Sequence, residues 1–129
     1  MSRLLLADDD PQQLAIRKLL LEGAGHEVAI AEDAGDARRL LAELQPDVLI
    51  MDLRLPKLKD GLGLIHCADE QRLGGRVIVL SGWTEELTDL PEEKMVAQVL
   101  GKPIRNDNLL AAINAVVSSP ARSLPTSAS

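Results

Sequence analysis

The chain has 129 residues, 46% of them hydrophobic and 26% charged, which gives one domain enough apolar surface for a core and places it far from the disordered class. Phe and Tyr are absent and Trp83 is the sole aromatic residue, so the packing must be aliphatic. A formal net charge of -6 with no Lys/Arg cluster argues against a nucleic-acid backbone as partner and for proteins instead.

Short aliphatic runs alternate with stretches of helical periodicity. Leu4 to Ala7 predicts a first buried strand. Asp10 then offers an N-cap with Pro11 at the first helical position. Leu14, Ile16, Leu19 and Leu20 recur until Gly23, which predicts a helix over Pro11 to Glu22. Val28 to Ala31 predicts the second strand. Asp33 caps a second helix with Leu40, Leu41 and Leu44 inside, and Pro46 closes it. Val48 to Met51 predicts the third strand, and Gly61 precedes a third helix containing Leu62, Leu64, Ile65 and Ala68. Val77 to Leu80 predicts the fourth strand. From Trp83 to Met95 the helical pattern weakens around Pro91, so any fourth helix there is short or irregular. Val96 to Leu100 predicts the fifth strand. Asn106 and Asp107 cap a last helix bearing Leu109, Leu110, Ile113, Val116 and Val117. The folded domain is expected over residues 1–118, followed by a disordered tail rich in Ser, Pro and Ala from Ser119 to Ser129.

The apolar runs fall far short of the roughly 20 residues that span a bilayer, so no membrane segment is expected. Met1 opens no secretory signal pattern, and the single Cys67 cannot close an internal disulfide. Both features fit a reducing cytoplasm. His26, His66 and Cys67 lack ligand spacing, and Gly23 and Gly25 follow a helix where a nucleotide loop would open one.

Strands alternating with helices demand right-handed crossovers and a parallel sheet covered on both faces, with ligands bound at the carboxyl ends of the strands. That edge collects Asp8 and Asp9 after strand one, Asp52 after strand three, Ser81 after strand four and Lys102 after strand five. Three carboxylates in one pocket raise each other's pKa unless a divalent cation neutralises them, and an oxygen-only ligand set suits Mg2+. Lys102 is a compact charge able to hold a phosphoryl oxygen, and Ser81 can donate a hydroxyl hydrogen bond to another. Taken singly, each of these has a plain structural reading: a helix cap beside a solvated neighbour for the acidic pair, a loop lysine, a turn hydroxyl. Their joint occurrence makes a phosphoryl-transfer site.

The segments LLLADDDP, VLIMDLRLP, VIVLSG and VLGKP resemble, in order and spacing, the four signatures of response-regulator receiver domains over roughly residues 3 to 117. The resemblance implies a flavodoxin-like doubly wound (βα)5 fold, a three-layer sandwich with strand order 2-1-3-4-5. It implies Asp52 as phosphoacceptor, Asp9 as direct Mg2+ ligand and Asp8 as its water-mediated neighbour. It also implies that the backbone carbonyl of Arg54 completes the coordination, that Lys102 and Ser81 form the phosphate-sensing pair, and that a cis peptide bond joins Lys102 to Pro103. It further implies a phosphorylatable signalling domain of a two-component system, catalysing only its own phosphoryl transfer and dephosphorylation. Its donor would be a histidine kinase or histidine phosphotransfer protein, and its output would be binding to a downstream protein target.

The chain departs from the family pattern at three points. Val99 stands three positions before Lys102, where an aromatic switch residue is usual. The loop PKLKDG from Pro56 to Gly61 is one residue longer than the common spacing. The weak fourth helix resembles that of receivers associated with hybrid kinases. Val99 and the irregular fourth segment suggest one rival function, a phosphate-independent interaction module with a receiver fold. The carboxylates, metal and lysine also suit a second, an Mg2+-dependent phosphatase with an aspartyl nucleophile, although such enzymes generally place the nucleophile after strand one.

Overall fold

The computed structural model describes residues 2–73 and 75–118; the tail from 119 onward, for which disorder is expected, lies outside the described residues. Five parallel strands form one sheet in the order β2-β1-β3-β4-β5, namely β1 (Arg3–Ala7), β2 (Glu27–Ala31), β3 (Val48–Asp52), β4 (Val77–Ser81) and β5 (Gln98–Gly101). Four helices cover it: α1 (Pro11–Gly23), α2 (Ala34–Leu44), α3 (Leu58–Glu70) and α4 (Asn106–Ser118). The flavodoxin-like architecture and its strand order are those expected.

The strands are runs of large aliphatic residues because both faces are covered. Alternation then sorts their side chains into two cores. Leu5, Ala7, Leu49, Met51, Val77 and Val79 point to the side of α2 and α3, where they meet Leu41, Leu64 and Ile65. Leu4, Leu6, Val48, Ile50, Ile78 and Leu80 point to the side of α1 and α4, where they meet Leu14, Leu21, Leu109 and Ile113. All five residues of β3 and of β4 are buried, whereas the edge strands are more open: β5 is mostly half-buried, and in β2 only Ala31 is buried, with Glu27 and Ile30 exposed.

Asp10 caps α1, its Oδ1 accepting from the Gln12 amide at 3.0 Å, and Asp33 caps α2 through the Asp36 amide at 2.7 Å. The third helix starts at Leu58 and takes in Gly61, the residue expected to precede it, because the Asp60 carboxylate accepts the Lys57 amide at 3.2 Å and closes a first turn. Gly61 lies inside that turn for a steric reason: a Cβ there would stand 1.6 Å from the Leu53 carbonyl oxygen. Asn106 and Asp107 fall within the first turn of α4, ahead of which Arg105 offers its carbonyl to Leu109 at 3.0 Å.

In place of a fourth α-helix the chain makes two short 3₁₀ turns, Thr84–Leu87 and Pro91–Met95, which agrees with the weak periodicity there. The face of α1 differs from its hydrophobic pattern: Leu14, Arg17 and Leu21 are buried, while Ile16 and Leu19 are 57% and 73% exposed. Spacing of three and four residues from Leu14 selects the buried stripe, and a cation sits on it. No helix among the described residues is long and apolar enough to cross a membrane.

Candidate functional site

Parallel strands in register bring the expected residues to one edge of the sheet. Asp8 follows β1, its amide donating to the Ala31 carbonyl at 3.1 Å at the end of β2. Asp52 ends β3 and Ser81 ends β4. Lys102 follows β5, its amide donating to the Ser81 carbonyl at 2.9 Å. Asp8 and Asp52 are buried, and Asp9 is exposed.

One carboxylate oxygen from each of Asp8, Asp9 and Asp52 lies within 4.8 Å of the others. Lys102 Nζ stands 2.8 Å from Asp52 Oδ1. That contact lacks the alignment of a directed hydrogen bond, and Oδ1 is a fully buried acceptor with no hydrogen-bond partner among the described residues. Burial pushes the Asp52 carboxyl up from 3.8 to about 6; Lys102 opposes the rise and the Asp8 carboxylate adds to it. The pocket thus holds a carboxyl whose ionised form is short of compensation.

This donor set fits a hard divalent cation: clustered carboxylate oxygens, one of them buried and unsatisfied. The Arg54 carbonyl, two residues beyond Asp52, is also available, since no hydrogen bond ends on it among the described residues. The Arg54 guanidinium points elsewhere and pairs with Glu86.

Ser81 Oγ accepts the Trp83 amide at 3.0 Å, and its single hydrogen has two acceptors in reach, the Trp83 carbonyl at 2.7 Å and Glu86 Oε1 at 3.2 Å. The hydroxyl therefore turns into its own loop. Trp83 is 62% exposed and its indole donates to Glu85 at 3.2 Å, while its backbone makes the hydrogen bonds to Ser81.

Two residues near the site escaped the sequence reading. Arg17 reaches from α1 to Asp8 Oδ2 at 2.8 Å; its signal was a charge placed three residues after Leu14 and four before Leu21. Glu86, whose side chain is 6% exposed, ties Ser81 to Arg54 from a segment without periodicity, and nothing in the sequence marks it.

A model of the response regulator receiver domain matches residues 4–114. The chain belongs to the response regulator receiver family. Among its relatives is protein PilH of Pseudomonas aeruginosa, 29% identical over 119 residues, an alignment covering 91% of this chain and 98% of PilH. The virulence transcriptional regulatory protein PhoP of Salmonella typhimurium is 32% identical over 120 residues, but the chain spans about half of it, 52%. The crystal structure of a response regulator receiver domain protein from Clostridium thermocellum superposes with a TM-score of 0.77 at 27% identity, covering 91% of this chain and 94% of that one. Receivers are signalling domains, and this one has the fold and the acidic edge of that family.

Within this receiver, Val99 lies half-buried in β5 and packs on the core at the α2 and α3 side. Lys102–Pro103 is a cis peptide bond, as the resemblance implies, and Leu55–Pro56 is cis as well. Lys57 and Lys59 of the longer loop are exposed beside the start of α3.

Proposed function

We propose that this receiver accepts a phosphoryl group on Asp52 from a phosphohistidine of a histidine kinase or histidine phosphotransfer protein in the cytoplasm. It then signals through phosphorylation-dependent binding to a downstream protein. The observation that carries the reading is the cluster of Asp8, Asp9 and Asp52 oxygens within 4.8 Å, with the Lys102 ammonium 2.8 Å from Asp52 Oδ1.

In this reading a carboxylate oxygen of Asp52 attacks phosphorus. The new P–O bond forms as the P–N bond to the donor imidazole breaks, and the imidazole leaves with the bonding pair. Asp52 must be ionised to do this, and Lys102 favours that form. The ammonium is also placed to hold a phosphoryl oxygen once the bond has formed. Ser81 reaches another oxygen after its hydroxyl leaves Trp83 and Glu86. Asp9, Asp52 and the Arg54 carbonyl would hold Mg2+, with Asp8 acting at one remove. Bound there, the ion supplies positive charge against the phosphoryl oxygens and the crowded carboxylates.

Intact mass after incubation with acetyl phosphate tests this. One phosphoryl adduct is expected in the wild type with MgCl2, and none in Asp52→Asn or in chelator. Absence of any adduct in every condition would favour the second reading, a phosphate-independent interaction module. That reading draws on Val99, which supplies no aromatic ring for a rotamer switch. A phosphatase is disfavoured because the cationic partner, Lys102, stands against the carboxylate of β3, whereas such enzymes place the nucleophile after the first strand.

A further inference from the structure

Arg17 lies on the stripe of α1 that faces the sheet, between Leu14 and Leu21, and is 9% exposed. Removing a guanidinium from water is costly unless a counter-charge meets it. Among the described residues that counter-charge is Asp8: Nη1 stands 2.8 Å from Oδ2, with side-chain exposures of 10% and 3%. The other oxygen of Asp8 accepts the Asp10 amide at 2.9 Å. Asp8 is therefore gripped at both oxygens, by the cap of α1 and by a side chain two turns along the same helix.

The remaining carboxylates of the pocket differ. Asp9 faces solvent, and the cation beside Asp52 is Lys102. Without Arg17, the one cation paired with the three clustered carboxylates among the described residues would be Lys102. With it, two fixed positive charges stand against three negative ones, and the buried Asp8 is never left without compensation.

We propose that Arg17 is a resident cation of the acidic pocket, a positioning residue that acts through Asp8. It keeps the metal-free domain folded and, by neutralising Asp8, lowers the affinity of the pocket for Mg2+ so that the ion stays readily exchangeable. The inference rests on reading the pocket as an Mg2+ site. It predicts a trade: stability without metal is gained at the expense of tightness for metal.

Thermal unfolding midpoints recorded across a MgCl2 titration, starting in chelator, test it in the full chain, because a ligand that binds the folded state raises the midpoint according to its Kd. Arg17→Met is expected to unfold well below the wild type in chelator, to gain more from MgCl2 than the wild type does, and to bind Mg2+ about tenfold more tightly, the size expected for removing one nearby positive charge. Arg17→Lys keeps the charge and should stay within about threefold of the wild type. A packing role alone would lower the Arg17→Met midpoint equally with and without MgCl2 at unchanged Kd, which overturns the inference; so does weaker binding in Arg17→Met. Should Arg17→Met fail to fold in chelator, recovery by MgCl2 but not by NaCl of equal ionic strength supports the inference, and no recovery overturns it. Binding in Arg17→Met with none in the wild type supports it while removing Mg2+ from the proposed function. No binding in either protein overturns both, and equal affinities overturn the inference alone.

Discussion

Lys102 Nζ stands 2.8 Å from Asp52 Oδ1, yet that oxygen has no directed hydrogen bond among the described residues. The pair is held by charge and by the register of β3, β4 and β5, not by a closed hydrogen-bond geometry. In the proposed phosphoryl transfer, such an ammonium would follow the charge from the carboxylate to the phosphoryl group with little rearrangement. Lys102→Met should slow formation of the acetyl phosphate adduct by about 10²-fold, in the range for loss of one positioned charge donor. A time course of intact mass measures it, and an unchanged rate would remove Lys102 from the site.

The raised Asp52 carboxyl makes the metal-free domain pH-dependent. Its value of about 6 exceeds the ordinary 3.8, so the folded chain binds the proton more tightly than the unfolded chain. Stability from this group therefore falls as pH rises between about 4 and about 6. Asp52→Asn should remove that slope and, in chelator at pH 7.5, raise the unfolding midpoint by about 3–8 °C. Adding MgCl2 should then raise the wild type more than the variant. Differential scanning calorimetry in both buffers checks the order of the two proteins.

Glu92 and His66 bridge the second 3₁₀ turn to α3 through a contact of 2.7 Å. The bond to His66, followed by a backbone hydrogen bond, lowers the Glu92 carboxyl below its ordinary 4.5. A depressed carboxylate contributes stability that is present above the unfolded value and lost as pH falls through the folded one. His66→Gln should cost about 0.5 kcal/mol at pH 6 to 7, since His66 is half exposed and surface pairs are worth little. Urea midpoints between pH 3 and pH 7 should show a shallower acid limb in the variant.

Gly61 carries the approach of α3 to the loop that follows Asp52. With a Cβ placed 1.6 Å from the Leu53 carbonyl, Gly61→Ala must push helix and loop apart and should cost about 2–3 kcal/mol by overpacking. Guanidinium unfolding measures the loss. A stability equal to wild type would show that the loop yields without penalty.

The acidic edge was legible because its residues sit at strand ends, and a strand end is the one place where an aliphatic run must stop at a polar residue. Asp8, Asp52, Ser81 and Lys102 each stand at such a stop, and the parallel order brings the stops together. The start of α3 was less legible, because the Asp60 carboxylate caps the Lys57 amide from inside the helix and Gly61 reads as a breaker when it is a contact. Arg17 was hidden for the opposite reason to the strand ends. Periodicity assigns apolar residues inward and charges outward, yet Ile16 and Leu19 face solvent while the guanidinium turns toward Asp8. Glu86 answers to no pattern at all, since a 3₁₀ turn repeats too few times to show a period.

The two 3₁₀ turns between β4 and β5 also set where the molecule opens first. A 3₁₀ turn has poorer hydrogen-bond geometry than an α-helix, and β5 is an edge strand of four residues, mostly half-buried. The amides from Thr84 to Gly101 should exchange with deuterated solvent well before those of β1, β3 and β4, the inner strands of the sheet. The corner of the domain beside Lys102 can therefore come loose and re-form many times in the lifetime of one folded core.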